Sequence, residues 1–231
     1  MSIAEIRKLV EARGISRLCH FTPSRKLAHI LADSAAIMST QDLKQQERDV
    51  FDPTDLERVD GYHGHVCCSV EYPNAWYFAK AQTKEILFKD WVILLIDPSY
   101  MWRPETLFCP RNAAAEFGRL AAKGPKAFSD LFAASSGSAK CPPRGPKHLG
   151  CCPTDDQAEV LVAGQIAAAH IQGVVTSSGE QAALEHARLQ YLGLGDKVRF
   201  FVAPSLYNPR ALATAIRSGT RPLETPWTPS T

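Results

Sequence analysis

Apolar and polar positions alternate in recognisable periods along most of the chain. Near the N-terminus Ile3, Ile6, Leu9 and Val10 recur at helical spacing, and Ser2 with Glu5 fits a capping box, so a first amphipathic helix is predicted. "SRLCHFTP" reads as a short strand and a turn, with Thr22 capping a second helix whose first position is Pro23 and whose apolar face is Leu27, Ile30 and Leu31. "VCCSV" (66–70) is a strand, and "YPNAWYFAKAQTKEILF" begins as a turn and continues as a helix. "WVILLID" (91–97) is apolar throughout, which predicts a central strand. "NAAAEFGRLAA" (112–122) is expected to be helical, and residues 123–157 a loop with a helical turn at "AFSDLFAA". "EVLVAG" (159–164), "IQGVVTS" (171–177) and "KVRFFVAP" (197–204) are strands, with an amphipathic helix at 179–193. From residue 219 the chain is rich in Pro and Thr and is expected to be loose. Short strands mixed with segregated helices predict an α+β fold with a single domain over residues 1–218 and a flexible tail over 219–231.

Composition changes this picture little. With 231 residues, 45% of them hydrophobic and 22% charged, the chain is long enough for a real core. No apolar run approaches the roughly 18 residues of a membrane span, and the N-terminus lacks the apolar stretch of a signal peptide. The cysteine count, seven, is odd, which with no export signal predicts a reduced, cytoplasmic protein. His63, His65 and Cys67 have poor spacing for a metal site, and none is expected. The net charge of +2 hides a distribution: residues 41–60 hold seven acids, whereas residues 111–150 hold seven Lys or Arg against Glu116 and Asp130. Such a basic loop suits a polyanion, or is a solvated loop.

Candidate chemistry begins with Glu159, a carboxylate at the first position of an apolar strand. It is either a rigidly held catalytic acid or a strand-end residue facing solvent. His20, before a helix start, is the second candidate. Trp76, Tyr77 and Phe78 form an aromatic cluster suited to a flat ring or to the core. There is no G-x-S-x-G, no Walker loop and no G-x-G-x-x-G. On residues alone an enzyme using Glu159, a non-catalytic nucleic-acid-binding module and a cysteine-dependent enzyme all remain open.

The order of an early His, an aromatic cluster and a late strand-borne Glu resembles the ADP-ribosyltransferase superfamily. The stretches "CHFTPSRKLAHILA", "YPNAWYF", "WVILLIDPSYMWRPETLFCPRNAAAEFG" and "PTDDQAEVLV" are similar to the DarT family of bacterial toxins, over about residues 16–205. The resemblance implies central mixed or antiparallel sheets flanked by helices, NAD as co-substrate without a metal, and single-stranded DNA as target. It also implies a macrodomain antitoxin of the DarG type as partner, and a monomer that binds no membrane. The segment "YFAKAQT" departs from the thymine-modifying branch, so guanine is the favoured base. Thymine, RNA and protein are the alternatives.

By the same resemblance Glu159 is the catalytic acid, and Arg58, preferred over Arg48, assists catalysis. His20, Thr22, Trp76, Tyr77 and Asn112 contact NAD, with Tyr77 favoured as the stacking ring. The loop at 123–157 recognises the substrate, with Lys126, Lys140, Arg144 and Lys147 holding phosphates. Phe128, Phe132 and Tyr100 are expected to stack bases.

Overall fold

A computed structural model of the chain describes residues 3–32, 35–45, 58–84 and 88–229. Ser2, Arg48 and the acids from Glu47 to Glu57 lie outside the described residues. In chain order the elements are α1 (Ile3–Ala12), β1 (Leu18–Pro23), α2 (Leu27–Leu31), β2 (Ala36–Ile37), α3 (Thr40–Gln45), β3 (His65–Val70), α4 (Ala75–Lys84) and β4 (Trp91–Ile96). There follow β5 (Leu107–Cys109), β6 (Ala122–Lys123), α5 (Gly124–Asp130), β7 (Glu159–Ala163), β8 (Ile166–Ala167), β9 (Ile171–Thr176), α6 (Gly179–Tyr191), β10 (Phe200–Val202), α7 (Pro209–Ser218) and β11 (Thr225–Trp227). No described helix is long and apolar enough to cross a membrane.

Nine of the described strands form one mixed sheet in the order β11-β10-β9-β4-β1-β3-β7-β5-β6. Only β9 and β10 run parallel. All six β4 side chains are buried, because β1 and β9 pair with its two edges and helices cover the sheet. Each large aliphatic side chain buried there contributes roughly 1.5–3 kcal/mol.

One irregularity makes the candidate site. β1 pairs with β4 along its whole length but with β3 at Leu18 and Cys19 only. Beyond Cys19 the two strands part, and the sheet splits. A side-chain hydrogen bond spans the gap, from His20 Nδ1 to the Cys67 carbonyl at 2.9 Å.

Three expectations are corrected. Thr22 lies within β1 and caps nothing, since the 3-10 turn after it starts at Ser24, whose N–H is bound by the Asp90 carbonyl. Residues 113–120 are turns rather than a helix. Glu116, Phe117 and Gly118 hold φ of 71°, 54° and 81°, left-handed values that no α-helix tolerates. The described part of the tail, residues 219–229, is not loose: β11 pairs antiparallel with β10, Arg17 makes a two-pronged ion pair with Glu224, and Arg221 donates to Glu71 at 3.0 Å. The helix α7 went unread in the sequence although Asn208, Pro209 and Gly219 supply its N-cap, first turn and left-handed C-cap.

Candidate active site

The split between β1 and β3 opens a cleft of about 900 Å³, a size that accommodates a dinucleotide. Cys19 to Thr22 line one side and His65 to Ser69 the other, with Arg58, Asn74, Tyr77, Asn112 and Glu159 completing the wall.

Glu159 opens β7 opposite Cys109 of β5, and Val160, Leu161 and Val162 behind it are fully buried. The preceding turn fixes its entry: Asp155 accepts from the Gln157 N–H at 2.9 Å and from Ser136 Oγ at 3.0 Å. Glu159 as a whole is only 7% exposed. It accepts from Asn112 Nδ2 at 3.0 Å and from the Ala113 N–H at 2.9 Å. Asn112 is oriented in turn, because its Oδ1 accepts the Ala114 N–H. The acid is therefore held in place by one turn, the segment expected to be helical.

His20 lies within β1. Burial pushes its pKa down to about 4, so it is neutral at physiological pH. The Cys67 carbonyl can only accept, which places the proton on Nδ1 and leaves Nε2 as an acceptor. Phe21 is stacked on Phe78 with ring centroids 4.7 Å apart and reaches Tyr77 at 6.0 Å. Thr22, Phe21 and Tyr77 all line the cleft. Trp76 does not. Its helical neighbour position turns it outward, 43% exposed, with Nε1 donating to Asp156 at 3.3 Å.

Arg58 is 6% exposed and forms part of the cleft wall. Its guanidinium donates to Asp60 at 3.1 Å, to the His65 carbonyl at 3.1 Å and to the Tyr62 carbonyl. Sequence reasoning missed Asn74, whose Oδ1 caps α4 by accepting the Tyr77 N–H while the residue lines the cleft. It also missed Arg25, Lys26 and His29, a basic row on the wall, with Arg25 stacked 4.0 Å over the Phe88 ring. The signal was present in "SRKLAH" (24–29), in the turn and helix that follow β1.

The basic loop is not brought to the cleft. Arg144 ties the loop together, donating to the Cys152 carbonyl at 2.8 Å and the Leu149 carbonyl at 2.7 Å. That use of its donors corrects its assignment to phosphate. Lys126 pairs with Asp130 at 2.6 Å, while Lys140 and Lys147 are exposed. Phe128, Phe132 and Tyr100 are buried in the core and unavailable to stack bases. Burial, with the Glu159 charge second, pushes the Cys67 thiol well above its ordinary range, so the cleft offers no thiolate at neutral pH.

A family model described as DarT, ssDNA thymidine ADP-ribosyltransferase, matches residues 19–207. Among curated proteins none matches the chain. Solved structures share the fold. Thermosipho africanus DarTG in complex with ADP-ribose superposes with a TM-score of 0.55 at 14% identity, over 83% of this chain and 51% of that one. This chain thus spans about half the length of that relative. Thermus sp. 2.9 DarT matches in complex with carba-NAD+ (TM-score 0.54, 13% identity, 83% of this chain and 97% of that one). The same protein in complex with ADP-ribosylated ssDNA matches with a TM-score of 0.52 at 14% identity, over 84% of this chain and 97% of that one. With the family model spanning most of its length, the chain belongs to the DarT family.

Proposed function

We propose that this chain is an NAD-dependent mono-ADP-ribosyltransferase that modifies a base of single-stranded DNA, guanine being the favoured base. It acts as a bacterial toxin countered by a macrodomain partner. The observation that carries the reading is Glu159, an acid pinned by two N–H donors in the wall of a dinucleotide-sized cleft. Family membership supports the NAD and DNA chemistry. The family description names thymidine, whereas the guanine reading rests on the departure at residues 77–83.

The reaction breaks the bond between nicotinamide and ribose. Nicotinamide leaves with the bonding pair, and positive charge develops on the ribose as in glycoside hydrolysis. Glu159 stabilises that cation and accepts a ribose hydroxyl hydrogen bond, its position already fixed by Asn112 and Ala113. A base nitrogen then bonds to the ribose carbon, and its proton passes to Glu159. His20 Nε2 accepts from a ribose hydroxyl, and Tyr77 with Phe21 holds the nicotinamide ring. Arg58 adds positive charge to the same wall, for the phosphates. Arg25 and Lys26 are placed to share that task. Lys140 and Lys147, exposed on the loop, serve the DNA backbone.

The test is to incubate the protein with NAD+ and single-stranded oligonucleotides of defined base content, read by intact mass. A gain of one ADP-ribose on guanine-containing strands is expected. A gain on thymine-only strands overturns the base choice and keeps the reaction. Adducts on RNA or protein, with none on any DNA, overturn the reading itself.

A further inference from the structure

The turn that grips Glu159 also carries Phe117, which is 71% exposed at its tip. A single exposed apolar side chain is ordinary on a protein surface. This one is distinguished by how it is held. Glu116 and Phe117 both adopt left-handed backbone, a conformation disfavoured for residues with a Cβ, and Gly118 continues it. The turn is fastened at both ends to the site. On one side Asn112 and Ala113 bind Glu159, and the Phe117 N–H donates at 3.2 Å to the carbonyl of Ala114, a cleft residue. On the other, Gly118 lies so close to Asp60 that a Cβ there would stand 2.2 Å from the Asp60 carbonyl oxygen. Asp60 is itself a cleft residue and the partner of Arg58. The ring is therefore displayed at the rim, one turn from the catalytic acid.

Charge completes the surface. Arg119 is exposed, and its Nε donates to the Glu116 carbonyl at 3.2 Å. Arg111 joins the turn to the basic loop through the Gly137 carbonyl at 3.4 Å. An exposed aromatic side chain on a turn that carries two arginines, of which Arg111 is paired with Glu116 at 3.8 Å and Arg119 is not in that pair, matches single-stranded nucleic acid, whose bases stack and whose phosphates are anionic.

We propose that Phe117 is the stacking platform for a base flanking the modified one, with Arg119 on the adjoining phosphate. The proposal rests on the DNA reading of the site. It is tested by measuring binding and modification of a strand scanned with single abasic positions, in wild type, Phe117→Ala and Phe117→Trp. Phe117→Ala is expected to raise the DNA concentration for half-saturation about ten-fold, and Phe117→Trp to restore it. In wild type one abasic position beside the target should cost a similar factor, and in Phe117→Ala that position should cost nothing more. Full-strength DNA binding by Phe117→Ala, or additive losses from the variant and the abasic position, overturns the proposal. A wild-type protein that modifies no DNA defeats the underlying function, which the first lane of the experiment shows separately.

Discussion

Both oxygens of Glu159 face a donor, Asn112 Nδ2 at one and the Ala113 N–H at the other. A carboxylate satisfies both, whereas a glutamine must turn an NH2 toward one of them. Glu159→Gln is therefore expected to cut transfer by a hundred- to a thousand-fold, on the order of an electrostatic transition-state contact. It should also lose about 1–3 kcal/mol of stability through the mismatched donors. Adduct formation by mass and a urea melt measure the two effects, and transfer within ten-fold of wild type would remove Glu159 from its role. His20 supplies a pH signature. Its folded pKa of about 4 lies below the ordinary 6.5, so the unfolded chain binds the proton more readily between those values. The stability it contributes is present in full above pH 6.5 and is lost as pH falls toward 4. His20→Asn keeps a donor for the Cys67 carbonyl and cannot titrate. Its melting temperature should fall less steeply than that of wild type between pH 7 and pH 4.5, followed by thermal melts.

At the scale of elements, the glycine at 118 decides the form of the turn around Glu159. Gly118→Ala faces a φ of 81° and a near contact with the Asp60 carbonyl. Backbone strain alone costs about 1–3 kcal/mol. Activity should fall further than the melting temperature accounts for, because the displaced turn carries Asn112 and Ala113; parallel melts and mass-based rates check this. The same turn explains what the sequence conveyed and what it did not. β4 and β7 were legible because burial on both faces leaves an uninterrupted apolar run, as in Trp91–Ile96. The alanines at 113–115 have high helix propensity, but the contacts of Gly118 with Asp60 and of Ala113 with Glu159 override it, and those partners are distant in sequence. His20 and Glu159 were legible as candidates, and both line the cleft. The outward turn of Trp76 and the internal use of Arg144 were not, since each depends on a neighbour, Asp156 or the carbonyls of Leu149 and Cys152, that no local pattern announces.

Across the whole molecule, β11 takes one edge of the sheet and brings Glu224 to the chain's first strand. Arg17, just before the central strand β1, is 12% exposed in its side chain and paired with Glu224, which is 17% exposed. Glu71, with a left-handed φ of 63° and a side chain 2% exposed, depends on Ser16 and Arg221. Glu224→Ala leaves the Arg17 guanidinium largely buried without that partner and is expected to cost about 3 kcal/mol. A urea titration should show a lower midpoint with unchanged slope, and an unchanged midpoint would make the clasp incidental.

That clasp also carries a statement about time. Its two halves are 207 residues apart. A chain synthesised at about 5–20 residues per second makes Glu224 roughly 10 to 40 seconds after Arg17. His20 and Glu159 both emerge inside that interval, before the contact that fastens the first strand to the last can form. The clasp thus forms only after both residues have been made, and a nascent chain not yet extended to Glu224 lacks it.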